Sequence, residues 1–80
     1  MAEIKEDRLL DASGLSCPMP VVRAGKEMRA MAPGQILKIV ATDRGALADI
    51  PAWAEDTGNE LLSTKDEGAK LIFLVRKGSE

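Results

Sequence analysis

The chain has no histidine, no tyrosine and one cysteine, and its only aromatic residues are Trp53 and Phe73. Each scarcity removes a class of chemistry. Without histidine, a cysteine hydrolase lacks the usual partner that activates its nucleophile. Without a second cysteine there is no thiol to resolve a mixed disulfide, as Cys-x-x-Cys pairs do. A zinc or redox-metal site would have to be built from carboxylates, which suit harder cations, so neither a metal nor a cofactor is expected. Two aromatics give no stacking platform for single-stranded nucleic acid, and a formal net charge of −2 gives no bulk attraction to phosphate. Direct nucleic-acid binding is therefore not expected. No run approaches the ~18 consecutive apolar residues of a membrane span, and Met1 to Arg8 is rich in charge, so neither membrane insertion nor a secretory signal is expected. A lone cysteine fits a reducing compartment, and the expected location is cytoplasmic.

What remains is an ordinary globular composition, 45% apolar and 30% charged, in 80 residues. That is one small domain near the lower limit for a self-sufficient core. Residues 1–7 have mixed charge and no period and are expected to be a flexible tail, with the domain over 8–78. Arg8 to Ala12 is a short extended run bounded by Ser13-Gly14. A helix opened by Pro18 then places Val21, Ala24, Met28 and Met31 at helical spacing, and Pro33-Gly34 ends it. Gln35 to Thr42 alternates Leu37, Ile39 and Ala41 with Ile36, Lys38 and Val40, a strand pattern. A second helical pattern carries Leu47, Ile50, Trp53 and Ala54. Pro51 would break a continuous helix from Ala46, so a brief turn followed by a helix capped by Asp49 is expected, with Gly58 as its stop. Asn59 to Lys65 and Ala69 to Lys77 are extended runs joined by Asp66-Glu67-Gly68, a hairpin.

The resulting order, β-α-β-α-β-β, predicts an α/β (α+β) two-layer sandwich, with a four-stranded mixed sheet and two helices on one face. The last strand is apolar on both faces, through Leu71, Phe73 and Val75 on one and Ile72 and Leu74 on the other. It should sit centrally and leave an apolar patch on the sheet face away from the helices.

Cys17 stands at the junction of the first strand and first helix, in Cys17-Pro18-Met19-Pro20. If Pro18 is the first helical residue, Cys17 is the N-cap, where free N–H groups and the helix dipole favour a thiolate. Of the first-turn donors, the Met19 N–H is then nearest the sulfur. Arg23 and Lys26 on the same helix are candidate sources of positive charge. The competing reading is a buried cysteine acting as a small hydrophobe, but a rigid loop-to-helix junction belongs to the surface. With hydrolysis, dithiol exchange and metal chemistry set aside, a single thiolate can still accept the outer sulfur of a persulfide and hand it on. Asp11 is expected to orient the loop by accepting backbone N–H bonds. Met19, Met28 and Met31 are read as packing or interface residues, and Trp53 as core.

The run Leu10-Asp11-Ala12-Ser13-Gly14-Leu15-Ser16-Cys17-Pro18-Met19-Pro20 resembles the signature of the TusA-like (SirA-like) sulfur carrier family. Pro33-Gly34, Asp49-Ile50-Pro51, Gly58 and Arg76-Lys77-Gly78 extend the resemblance over almost the whole chain, while Arg44 stands where members often have proline. The resemblance implies the two-layer sandwich just described and an exposed cysteine at a helix start. It implies that Cys17 bears a persulfide, that Pro18 and Pro20 shape its turn, and that a cysteine desulfurase or rhodanese donates the sulfur. An acceptor protein would then carry it toward tRNA thiolation, cofactor biosynthesis or sulfur oxidation. The alternative is a noncatalytic regulatory or interaction module of the same fold, with a structural cysteine.

Overall fold

The computed structural model describes residues 5–78, in the order β1 (Arg8–Ala12), α1 (Met19–Arg29), β2 (Ile36–Ala41), α2 (Ala46–Asp56), β3 (Glu60–Asp66) and β4 (Leu71–Arg76). β1 runs parallel to β2, as a strand-helix-strand unit requires, and β4 runs antiparallel to both β2 and β3. The spatial order is β1-β2-β4-β3, so the doubly apolar β4 is interior, as its sequence demands.

Alternation along the strands points Leu10, Ala12, Leu37, Ile39, Ala41, Leu71, Phe73 and Val75 toward the helices, and all are buried. α1 covers them with Pro20, Ala24 and Met28, and α2 with Ala46, Ile50 and Ala54, spaced one turn apart. No polar side chain is buried among the described residues, so the core is held by apolar area alone. On the opposite face Ile36, Val40, Ile72 and Leu74 are half-buried and Leu9 is 57% exposed, which is the apolar surface the sequence predicts. β3 forms an edge, and its irregularity between Leu61 and Ser63, with the charged Lys65 and Asp66 beyond it, discourages further pairing.

Both helices differ from expectation. α1 begins at Met19, with Pro18 at the N-cap and Pro20 in the first turn, so Cys17 lies outside the helix. Pro20 takes the buried place expected of Val21, which is half-buried. The helix also ends early, at Arg29: the N–H groups of Ala30 and Met31 bond to the carbonyls of Glu27 and Met28, a tighter winding that still buries Met31. Pro33-Gly34 belongs to the turn that follows.

α2 is one helix with Pro51 inside it, not a turn and a helix capped by Asp49. Its start is wound tightly, the N–H groups of Ala46, Leu47 and Ala48 reaching the carbonyls of Asp43, Arg44 and Gly45. Pro51 withholds one bond from the Leu47 carbonyl, but burial of Ala46, Ile50 and Ala54 along one face keeps the helix whole.

Of the tail expected over residues 1–7, residues 1–4 lie outside the described residues. Asp7 belongs to the sheet edge: its N–H donates to the Ile36 carbonyl at 2.8 Å, and its carboxylate accepts the Ile36 N–H at 2.8 Å. At the other end a Cβ on Gly78 would lie 2.0 Å from the Gly58 carbonyl oxygen, so close backbone approach requires glycine there. No helix among the described residues is long and apolar enough to cross a membrane.

Candidate functional site

The pairings Ala12–Ala41, Ala41–Leu71 and Asp66–Leu71 align one end of the sheet. From it leave the β1–α1 loop, the β2–α2 loop and the β3–β4 hairpin, and Cys17 is carried on the first of these. This is the carboxyl end of the parallel strands, where α/β sheets place their sites.

The β1–α1 loop is pinned by short bonds. Asp11 accepts the Ser13 N–H at 3.0 Å, the orienting role read from sequence, and its bonds from Ser13 hold its carboxyl below the usual range. The Gly14 N–H donates to the Thr42 hydroxyl at 2.9 Å, which ties this loop to the next. The Met19 N–H, expected to face the sulfur, is instead taken by the Ser16 carbonyl at 2.9 Å. The Cys17–Pro18 peptide bond is cis.

Cys17 is exposed, so a small buried hydrophobe does not describe it. It is held by acidic groups at the start of α2 rather than by the start of α1. Its N–H donates to Asp43 Oδ2 at 2.6 Å, while Asp43 Oδ1 accepts the Gly45 N–H at 3.0 Å. Those bonds, from Gly45 first and Cys17 second, lower the Asp43 carboxyl from its ordinary value. A Cβ on Gly45 would stand 3.7 Å from the Cys17 Cβ, which shows how closely the cysteine approaches the backbone there. The sulfur itself points to α2: Cys17 Sγ lies 2.6 Å from Asp49 Oδ2 and donates to it.

The expected stabilisation of a thiolate at the start of α1 is therefore overturned. The bond to Asp49, then desolvation and the charges of Asp49 and Asp43, push the Cys17 thiol up from its ordinary value. A carboxylate accepts the S–H proton and repels the anion that its loss would leave. Arg23 and Lys26 are exposed and line neither side of the Cys17 groove. Arg44, the nearest cation in sequence to Asp43, is engaged elsewhere, with Asp66 at 2.6 Å across the end of the sheet.

Beside the sulfur runs an open groove of about 330 Å³, lined by Cys17, Pro18, Val21, Asp49, Ala52, Trp53 and Asp56. Cys17, Pro18 and Val21 form one side, from the β1–α1 loop and the start of α1, and Asp49, Ala52, Trp53 and Asp56 of α2 form the other. Trp53, expected in the core, is half-buried and packs against it while also lining the groove, whereas Asp49, expected at a cap, is a half-buried groove residue inside α2. The signal was present, since Asp49, Ala52, Trp53 and Asp56 are spaced i, i+3, i+4 and i+7 on one helical face. Breaking the helix at Pro51 hid it. Of the methionines, Met28 and Met31 are core, while Met19 remains 39% exposed next to the site.

A family model described as Sulfurtransferase TusA matches residues 8–77, from β1 to the residue after β4. The chain belongs to the TusA family. Its relatives include a sulfur carrier protein TusA of Allochromatium vinosum, 52% identical over 71 residues, which are 89% of this chain and 93% of that one. YrkI of Bacillus subtilis is 49% identical over 75 residues, covering 94% of this chain and all of its own. A crystal structure of a SirA-like protein from Desulfitobacterium hafniense superposes with a TM-score of 0.78 at 20% identity, over 89% of this chain and 97% of that one. At that identity it shows a shared fold, the TusA-family sandwich of a four-stranded mixed sheet under two helices.

Proposed function

We propose that this TusA-family chain is a cytoplasmic sulfur carrier that takes sulfane sulfur onto Cys17 as a persulfide and yields it to an acceptor protein. The observation that carries this reading is the lone thiol: exposed, anchored by loop hydrogen bonds, and opening onto a groove in a member of a sulfurtransferase family. In loading, Cys17 sulfur bonds the outer sulfur of a donor persulfide. The donor's S–S bond breaks, its electron pair stays on the donor's inner sulfur, and the product is Cys17–S–SH or its anion. Sulfur moves without net oxidation, so one thiol suffices and no electron carrier enters the step.

A cysteine desulfurase or rhodanese is the donor in this reading, and the acceptor is a relay protein serving tRNA thiolation, cofactor biosynthesis or sulfur oxidation. The open groove leaves Sγ reachable by another protein's sulfur. Incubation with a desulfurase and cysteine should add about 32 Da, one sulfur atom, to the intact protein and nothing to Cys17→Ser. Equal gain in both proteins, or gain in neither, overturns the reading.

A further inference from the structure

A sulfur carrier that rests as a thiol must shed a proton each time it loads, and among the described residues one group is in position to receive it. Asp49 Oδ2 is 2.6 Å from Cys17 Sγ. Asp43, the other carboxylate at the cysteine, has both oxygens committed, Oδ2 to the Cys17 N–H and Oδ1 to the Gly45 N–H. Asp49 has no such commitment: among the described residues its side chain bonds only to the sulfur, and it lines the groove through which a donor must come.

We propose that Asp49 is a catalytic residue of sulfur transfer, its carboxylate taking the Cys17 thiol proton as Sγ bonds the incoming sulfur and passing it to the departing donor sulfur. The inference rests on the carrier reading above. The step balances as Cys17–SH plus a donor persulfide anion, R–S–S⁻, giving Cys17–S–S⁻ plus R–SH. One S–S bond forms at Sγ and one breaks in the donor, the electron pair of the broken bond takes the proton, and the charge of −1 is conserved. A carboxylate is a weak base toward a resting thiol, but an S–H whose sulfur is forming a new bond becomes strongly acidic. The proton therefore crosses into the carboxylate's range during the step, which is the condition for concerted general-base catalysis. Among the described residues the groove's remaining titratable group, Asp56, sits on α2 two turns from Asp49, and Pro18 and Val21 on the α1 side contribute none. Arg44 is paired with Asp66.

The proposal separates two effects that ordinarily move together. Replacing Asp49 with asparagine removes the charge that keeps Cys17 protonated, so more of the sulfur is thiolate, yet it also removes the proton acceptor. Glutathione persulfide serves as the donor, with loading of the intact chain followed by quenched-flow mass spectrometry. Asp49→Asn should load at least about tenfold more slowly than wild type. Its alkylation by neutral iodoacetamide at pH 7 should become faster, and Asp49→Glu should recover part of the loading. Wild-type loading should also be slower in heavy water, a measurement that needs no variant to fold. Loading by Asp49→Asn at the wild-type rate or above, a fall in loading and alkylation together, or no isotope effect in the wild type overturns the proposal while the carrier reading stands. Wild type that takes no sulfur at all overturns both.

Discussion

At the residue scale, the chemistry of Cys17 is set by its neighbours more than by its motif. The Cys17-Pro18-Met19-Pro20 run makes the thiol conspicuous and places it in a loop, and the fold keeps that promise. It does not reveal the state of the sulfur, because the groups that decide it, Asp43 and Asp49, come from a distant stretch of sequence. Helix-start logic predicts a stabilised thiolate; the carboxylates produce a guarded thiol. The pH profile of iodoacetamide alkylation should therefore have its midpoint above the ordinary thiol value of ~8.5, and Asp49→Asn should move it downward. A wild-type midpoint below 8.5 would contradict this electrostatic picture. In the sequence Asp49 is legible as a helix cap two residues before Pro51 and as part of the Asp49-Ile50-Pro51 resemblance, and a rule about prolines in helices leads away from its true position inside α2.

At the scale of elements, the strands were readable nearly to the residue and the helix boundaries were not. Alternation of Leu37, Ile39 and Ala41 and the double-sided pattern of Leu71 to Val75 survive tertiary packing, because the sheet buries those positions. Helix ends answer to local winding and caps, which composition describes poorly. Pro51 is the clearest case, since one missing hydrogen bond is offset by a buried stripe of Ala46, Ile50 and Ala54. Pro51→Ala restores the donor facing the Leu47 carbonyl, and after allowing for a freer unfolded chain it should stabilise the protein by about 1–2 kcal/mol in urea denaturation. An unchanged or lower stability would show that the tight start of α2 depends on the ring. In the sheet, Phe73 is wholly buried on the central strand, and Phe73→Ala should cost about 3–5 kcal/mol, enough to leave so small a domain largely unfolded by circular dichroism.

At the scale of the whole molecule, one end of the sheet gathers everything of functional interest, and side chains tie its loops to one another. Gly14 bonds Thr42, Cys17 bonds Asp43 and Asp49, and Arg44 reaches both Asp66 and the Gly68 carbonyl. The Arg44 guanidinium holds the Asp66 carboxyl down to about 2, assisted by the Gly68 N–H. A carboxyl lowered on folding stabilises the protein above its unfolded value of 3.8, and that contribution fades as pH falls through about 2. The stability gap between wild type and Asp66→Asn, followed by thermal unfolding, should therefore be full above pH 4 and close between pH 4 and 2. A gap that is constant with pH would mean the pair does not form. These ties present Cys17 on a braced platform, with Sγ facing the groove between the helices. The central claim is that this one sulfur carries the cargo, and its most direct test is tandem mass spectrometry of the chain after loading by a cysteine desulfurase and alkylation. The predicted result is a single added sulfur on the peptide containing Cys17; an unmodified Cys17 peptide from protein that had met active, persulfide-bearing donor would contradict it.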